Sequence, residues 1–298
     1  MIRGVLRNLG RAIGLVAGLY LAFVGVRGSR LLVRPQVRPF LPDLPDDPAT
    51  PADVGLAYES VRFTTDDGVT LSGWLIPAAR ETRTTVIVMH GFSGHRLPEL
   101  AAFVPWLQER HNVLQFDFRG HGESDGSLVT LGTLERRDVA AAVRFVESRG
   151  FGPTALFGIS MGAATAIISA PDLPVAAVVA DAPFAELHHP VASRMRQIGY
   201  PLAGIGARLV VLGAALRARS RLADPIRAVA RIAPRALLVI LPREDRLIDW
   251  RQGMRLFEAA GEPKELVVVE GAGHAEAYAI EPDTYRRTVL EFLERHLG

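Results

Sequence analysis

The chain has 298 residues, 49% of them apolar and 22% charged, which is enough to bury a full core and excludes a wholly disordered chain; no collagen-like, coiled-coil or repeat signal is present. Its formal charge of +2 is unevenly placed: seven arginines, from Arg3 to Arg38, precede the first acid, Asp43, and taking seven from +2 leaves the remainder at −5. A basic head on an acidic body, without an aromatic-studded basic stripe, argues against nucleic acid as a partner, and the lack of cysteine removes disulfides, thiol nucleophiles and thiolate metal sites.

The first element is AIGLVAGLYLAFVGV, Ala12 to Val26, without a charge and bracketed by Arg7 and Arg11 before and Arg27 and Arg30 after. As a helix it covers about 22 Å of a roughly 30 Å hydrocarbon core, so spanning needs flanking arginines to snorkel or the bilayer to thin. Residues 1–33 read as an uncleaved membrane anchor, with a signal peptide or a buried helix as alternatives; no small-x-small cleavage site follows Val26. Arginines on both sides leave its orientation open. Residues 34–54 carry prolines at 35, 39, 42, 45, 48 and 51, which exclude helix and central strand. The three-residue spacing from Pro42 to Pro51 suits an extended polyproline II linker, and a plain loop covering the body is the other reading.

Residues 55–298 change pattern. Two extended runs meet at Asp66, Asp67 and Gly68, a hairpin signature. Compact apolar runs follow at 85–89, 113–116, 155–159, 175–180, 236–241 and 266–269, each succeeded by a helical stretch. Short β-branched runs alternating with helices predict an α/β fold, a mainly parallel sheet covered on both faces, with functional loops beyond the carboxyl ends of its strands. Between Pro183 and Pro234 the chain is longer than a crossover needs, and its centre, IGYPLAGIGARLVVLGAAL, is apolar. An insertion at about 185–225 is expected to form a small helical lid, with an ordinary packed helix or a second membrane contact as the alternatives.

At one predicted strand end stands GISMG, in which the strand must turn sharply into a helix around Ser160. Gly158 and Gly162 relieve the crowding of that turn, and Ser160 becomes the candidate nucleophile. A serine hydroxyl needs a base, and the base needs an acid to orient it. Of the eight histidines, His274 in EGAGHAEA lies in a glycine-flanked loop after the last strand, where it can reach back over the sheet. The adjacent His188 and His189 lack metal-ligand spacing. For the acid, ALLVILP runs into REDRLIDW, and Asp245 is preferred: Asp249 suits the N-cap of the next helix, Glu244 is the near competitor and Asp181 a more distant one. The loop of VIVMHGFSG offers the backbone N–H of Phe92, and the residue after the nucleophile that of Met161, as donors to an oxyanion. His90 is expected to hold that loop in shape through hydrogen bonds.

HGFSG, FDFRGHGESDG, GISMG, REDRLI and GAGH, in this order, resemble the alpha/beta-hydrolase superfamily across roughly residues 55–298. The resemblance implies an alpha/beta-hydrolase fold and the chain order Ser160, Asp245, His274 for the catalytic groups, with Asp117 and Arg119 structural. The hydrophobic head, the hairpin and the lack of a large cap look like membrane-associated serine hydrolases related to serine aminopeptidase-like esterases. Serine at 160 departs from haloalkane dehalogenases and epoxide hydrolases, and Pro242 stands where relatives often have glycine. The expectation is a serine hydrolase acting on a carboxylic ester or thioester of acyl or lipid-like character, with no cofactor or metal and with the membrane as a partner through its head. The competing class is a catalytically silent scaffold of the same fold, which would be expected to have lost one of the reactive groups; candidates for all three are present.

Overall fold

The structure, a computed structural model, describes residues 2–42 and 44–298; Met1, in the expected anchor, and Asp43, in the expected linker, lie outside the described residues. The chain opens with one long helix, α1 (Ile2–Val33). Its Leu6–Val33 stretch contains an 18-residue window of mean hydropathy 1.8 and is, among the described residues, the one helix long and apolar enough to cross a membrane. The helix outruns the uncharged segment because no proline precedes Pro35. It ends at Val33, since the residue before a proline is pushed away from helical geometry.

The proline-rich stretch is not a continuous polyproline rod. It lies against the body as bends and a 3₁₀ turn at Pro51–Val54, where Asp53 accepts the N–H of Thr50 at 2.8 Å and that of Ala49 at 3.0 Å. Proline fixes φ and leaves ψ free, so docking contacts select the path. The Arg38 N–H donates to the Ser93 carbonyl at 3.0 Å, and the Phe40 ring covers the Arg96 guanidinium at 4.3 Å.

In the body, β1 (Glu59–Thr64) and β2 (Thr70–Ile76) form the expected antiparallel hairpin. Then come β3 (Thr85–Met89), α2 (Leu97–Leu107), β4 (Asn112–Phe116), α3 (Glu135–Ser148), β5 (Thr154–Ile159), α4 (Met161–Ser169) and β6 (Ala177–Asp181). The remainder is α5 (His188–Gln197), α6 (Ala203–Ala218), β7 (Ala236–Pro242), α7 (Arg251–Ala259), β8 (Lys264–Val269), α8 (Ala277–Ile280) and α9 (Pro282–Leu297). The sheet has eight strands in the order β1-β2-β4-β3-β5-β6-β7-β8, with β3 to β8 parallel and β1 and β2 antiparallel at one edge. This is the alpha/beta-hydrolase fold.

Alternation along the strands builds two cores. Ile87, Met89 and Leu156 face α3, α4 and α7, whereas Val86, Val88 and Phe157 face α2 and α9. Strand order reverses around β3, because the chain builds β4 on one side of it and β5 on the other. The crevice beyond β3 and β5, whose ends pair at Met89 and Gly158, is therefore where a parallel sheet of this kind presents its chemistry.

The α6 helix packs on α1. Small residues allow the approach: a side chain on Gly28 would strike Val210 at 2.5 Å, and one on Gly213 would strike Ser29 at 2.8 Å. Val24, Ala192, Met195, Ala203, Ala207 and Val210 form a satellite core there. The Arg217 Nε donates to Ser29 Oγ at 3.0 Å, and Tyr20 donates its hydroxyl proton to the Pro201 carbonyl at 2.9 Å.

Candidate active site

Ser160 sits between β5 and α4 with φ 54° and ψ −108°, a backbone state that L-residues rarely adopt. Two hydrogen bonds hold it: its N–H donates to the Asp181 carbonyl at 2.8 Å, and its carbonyl accepts the Ala164 N–H at 3.0 Å. The flanking glycines make the turn possible. A side chain on Gly158 would lie 2.2 Å from the Gly162 carbonyl carbon, and one on Gly162 would lie 2.3 Å from the Met89 carbonyl oxygen.

The loops after β7 and β8 bring the other two groups to this turn. Asp245 accepts the N–H groups of Leu247 at 2.7 Å and Ile248 at 2.8 Å on one carboxylate oxygen, which fixes the side chain from within its own loop. Its other oxygen lies 2.6 Å from His274 Nδ1, and His274 Nε2 lies 2.9 Å from Ser160 Oγ. An acceptor at Asp245 puts the imidazole proton on Nδ1, leaving Nε2 to receive the proton of the serine hydroxyl. The Asp245 side chain is 1% exposed and that of His274 25%, so the pair is shielded on the acid side and open toward the serine.

On the other side of Ser160, the loop after β3 comes close enough that a side chain on Gly91 would meet the serine Cβ at 3.7 Å. Phe92 and Met161 line the same cavity as Ser160. Neither of their backbone N–H groups is matched to an acceptor among the described residues, as donors reserved for a ligand require. Three of the sequence-selected positions, Phe92, Ser160 and Met161, line one space of about 580 Å³, in the range of small-molecule sites, while His274 and Asp245 stand behind Ser160 Oγ and do not line it.

The model of a family described as the alpha/beta hydrolase family matches residues 85–288. The chain belongs to this family. Its relatives include the uncharacterized protein YfhR of Escherichia coli O157:H7, 32% identical over 261 residues covering 84% of each chain. The uncharacterized protein YqkD of Bacillus subtilis is 30% identical over 240 residues, 76% of each chain. Among solved structures, the Pyrococcus furiosus esterase Pf2001 superposes with a TM-score of 0.75 at 28% identity, covering 90% of this chain and 99% of that one.

Around the serine of this alpha/beta hydrolase, buried polar groups carry the loops. His90 Nε2 accepts the Phe118 N–H at 3.0 Å, so its Nδ1 carries the proton given to the Gly91 carbonyl at 2.7 Å. Burial, with His121 next to it, holds His90 well below the usual imidazole range, which keeps it neutral and in this loop-fastening role. Asp117 accepts the N–H groups of Arg96 and Glu123 and pairs with the Arg96 guanidinium, which also reaches Glu123 and stacks on Trp74 at 4.0 Å. Arg119 ties Asp67 of the hairpin turn to Asp138 of α3. Neither Asp117 nor Arg119 contacts Ser160 or His274.

Three features escaped sequence reasoning. Asp181, weighed as a competitor for the acid, ends β6 beside the site but accepts the Tyr285 hydroxyl at 2.8 Å, and burial pushes its carboxyl up to about 7. Arg96 has no motif to announce it. Third, α1 itself lines the cavity through Phe23, Val24, Arg27, Gly28, Leu31 and Leu32. Glu186, His188 and His189 do bring three possible metal-ligand atoms within 4.8 Å of one another, although the Glu186 carboxylate already accepts from Arg255 at 2.8 Å.

Proposed function

We propose that this alpha/beta hydrolase is a serine hydrolase that cleaves a carboxylic ester or thioester through an acyl-enzyme. The observation that carries the proposal is the unbroken chain of contacts from Asp245 through His274 to Ser160, at 2.6 and 2.9 Å. The likeness to the Pf2001 esterase supports the same reading.

In the proposed cycle Ser160 Oγ attacks the carbonyl carbon while its proton passes to His274 Nε2. The imidazolium that forms is stabilised by Asp245, and the oxyanion takes hydrogen bonds from the N–H groups of Phe92 and Met161, each worth about 3 kcal/mol of barrier. Collapse breaks the bond to the alcohol or thiol, which leaves with the proton from His274. Water then gives a proton to His274 and attacks the acyl carbonyl, and Ser160 is regenerated with release of the acid.

The apolar run of α1 is the membrane anchor in this reading, and α5 and α6 form the lid. Pro190, Val191, Met195 and Val210 from these two helices line the cavity together with Ser160, so water would be excluded from an acyl group lodged there. The substrate expected is an acyl ester of apolar character.

Fluorophosphonate labelling of the full-length protein tests the proposal, with Ser160→Ala in parallel. Wild type is expected to take one label and Ser160→Ala none. An intact protein that takes no label would place the chain with silent scaffolds of the fold, and equal labelling of the two would contradict the reading of Ser160 as the nucleophile.

A further inference from the structure

Beside the Ser160 cavity, a second space of about 910 Å³ opens between the carboxyl-terminal parts of α1 and α6. Five arginines line it: Arg27 and Arg30 of α1, Arg34 just past its end, Arg217 in the last turn of α6 and Arg219 at its cap. No aspartate or glutamate does, and neither α1 nor the segment 187–223 contains one. Arg27, Arg30 and Arg34 share one helical face by their three- and four-residue spacing, where like charges repel. The carboxyl ends of the two helices carry about half a negative charge each, which offsets roughly one of the five guanidinium charges and leaves about four. None of the five is paired with a carboxylate among the described residues. Such a cleft complements an anion.

One guanidinium is already set for that role. Arg217 Nε donates to Ser29 Oγ at 3.0 Å and its Nη2 to the Val26 carbonyl at 3.3 Å, leaving Nη1 without an acceptor among the described residues. A planar fork held in this way gives up less freedom for each bond it makes to a phosphate oxygen. The rest of the lining includes large apolar side chains in the open: Phe23 is 60%, Val26 62% and Leu216 72% exposed. Along α1 the order is fixed, since Phe23 and Val26 close the uncharged run and the arginines follow it. From Arg27 to Arg34 the chain covers about 10 Å of helix, against roughly 5–8 Å of headgroup region on either side of a hydrocarbon core. Beyond that point α1 is fastened to the body, where the Val33 carbonyl accepts the Val129 N–H at 2.9 Å. Arginines at headgroup depth with an apolar wall on the hydrocarbon side match an anionic amphiphile better than a free ion.

We propose that this cleft is a binding site for an anionic phospholipid, whose phosphate is held by the arginines of both helices while its chains lie along Phe23, Val26 and Leu216. The proposal rests on the reading of α1 as a membrane helix and is independent of the chemistry at Ser160. The lipid is a ligand here and not a substrate, because neither Ser160 nor Met161 lines this cleft. A phosphate shared by arginines of α1 and α6 fastens the lid helix to the anchor. Phe23 and Arg27 line both spaces, so the bound lipid also steadies one wall of the Ser160 cavity.

The test uses the full-length protein in dodecyl maltoside, with bound lipid counted by native mass spectrometry. The probes are diether phosphatidylglycerol and diether phosphatidylcholine of one chain length, which hold no carboxylic ester to be cleaved, and inorganic phosphate. Phosphatidylglycerol is expected to bind at least about tenfold more tightly than phosphatidylcholine and to raise Tm. Arg34→Gln with Arg219→Gln, one charge from each side of the cleft, is expected to lower that affinity about tenfold or more. Leu216→Trp, which fills the cleft and leaves its charge alone, is expected to lower it as well, and undiminished binding by this variant overturns the site even if the arginine pair fails to fold. Arg7→Gln with Arg11→Gln removes the same charge from the other end of α1 and is expected to leave the affinity at the wild-type value. Equal affinity for the two lipids, or equal losses in the two double variants, overturns the site and leaves a basic helix attracted to any negative surface. If inorganic phosphate raises Tm as far as phosphatidylglycerol does, the cleft is a free-anion site and the lipid is overturned. Carbonate extraction of membranes separates the premise from the proposal. Release of the protein refutes the membrane helix and the site with it, whereas retention without a lipid preference refutes the site alone.

Discussion

The turn at Ser160 can be probed without touching a reactive group. In Gly158→Ala the new methyl would fall 2.2 Å from the carbonyl carbon of Gly162, 2.3 Å from its oxygen and 2.4 Å from the nitrogen of Ala163. All three are backbone atoms, so no rotamer change relieves the contact. Reaching an ordinary separation of 3.4 Å requires β5 and the first turn of α4 to part by about 1.2 Å, and Ser160 is the residue between them. A shift of that size carries the hydroxyl out of its 2.9 Å contact with His274. Misplacement by about 1 Å costs on the order of 10²-fold in rate, and the overpacking destabilises the fold by about 1–3 kcal/mol. The assay is kcat/KM on p-nitrophenyl butyrate at a temperature where the thermal transition shows the variant folded. Gly204→Ala, where a methyl meets nothing within 4 Å, serves as the control and should match the wild type. A folded Gly158→Ala protein with activity close to wild type would refute the argument that crowding dictates glycine here.

Three further outcomes follow from the acids and the buried arginine. Asp245→Asn should lower kcat by about 10⁴-fold, because the amide cannot hold the Nδ1 tautomer, whereas Asp181→Asn should leave kcat near the wild-type value; similar losses in both would mean that the acid role is shared. Asp181 also carries a pH signature. Its carboxyl titrates near 7 in the folded protein against 3.8 ordinarily, so the folded state holds the proton more tightly, and stability present below about pH 4 is lost as pH rises through 7, by at most about 4 kcal/mol. Asp181→Asn cannot titrate, and its drop in Tm between pH 5 and pH 8 should be smaller than that of the wild type; parallel drops would contradict the burial argument. Arg96→Ala leaves the Asp117 carboxylate buried without its cation, at a cost of about 3–5 kcal/mol, and should lower Tm by roughly 10 °C; an unchanged Tm would refute the claim that the buried pair with Asp117 stabilises the fold.

The parts of the fold legible in the sequence are those whose cause is local. Each parallel strand announces itself as a buried β-branched run, and the turn at Ser160 by two glycines whose side chains would collide with neighbours four and five residues away or with the adjoining strand end. Asp245 belongs to the same class, since the N–H groups that orient it come from positions two and three residues further on. His274 was legible through its place in a glycine-flanked loop after the last strand. By contrast, Asp181 and Tyr285 are 104 positions apart, and nothing near either signals the hydrogen bond that keeps this acid out of the role of its competitor. Arg96 likewise draws its partners from Phe40, Trp74, Asp117 and Glu123, which meet only when the linker, the hairpin and the loop after β4 have folded. The linker's path depends on such docking too, which is why regular proline spacing left both an extended segment and a loop covering the body open.

The placement of α1 shows the same division within one element. An apolar run with arginines at both ends reads as a membrane helix whichever way it faces, because composition carries no rotational information. The rotation is encoded by Gly25, Gly28 and Ser29, which share one helical face by their three- and four-residue spacing. Small residues on one face invite a second helix, yet the partners of that face, Leu209, Val210 and Gly213, lie about 180 positions away. The partner helix carries the complementary clue. Gly206, Ala207, Val210 and Ala214 of α6 are buried, while Ile205, Leu212 and Leu216, on its other faces, are large, apolar and exposed. If α1 crosses the bilayer as proposed, its large apolar side chains outside the seam with α6 face lipid, while Gly25, Gly28 and Ser29 face protein.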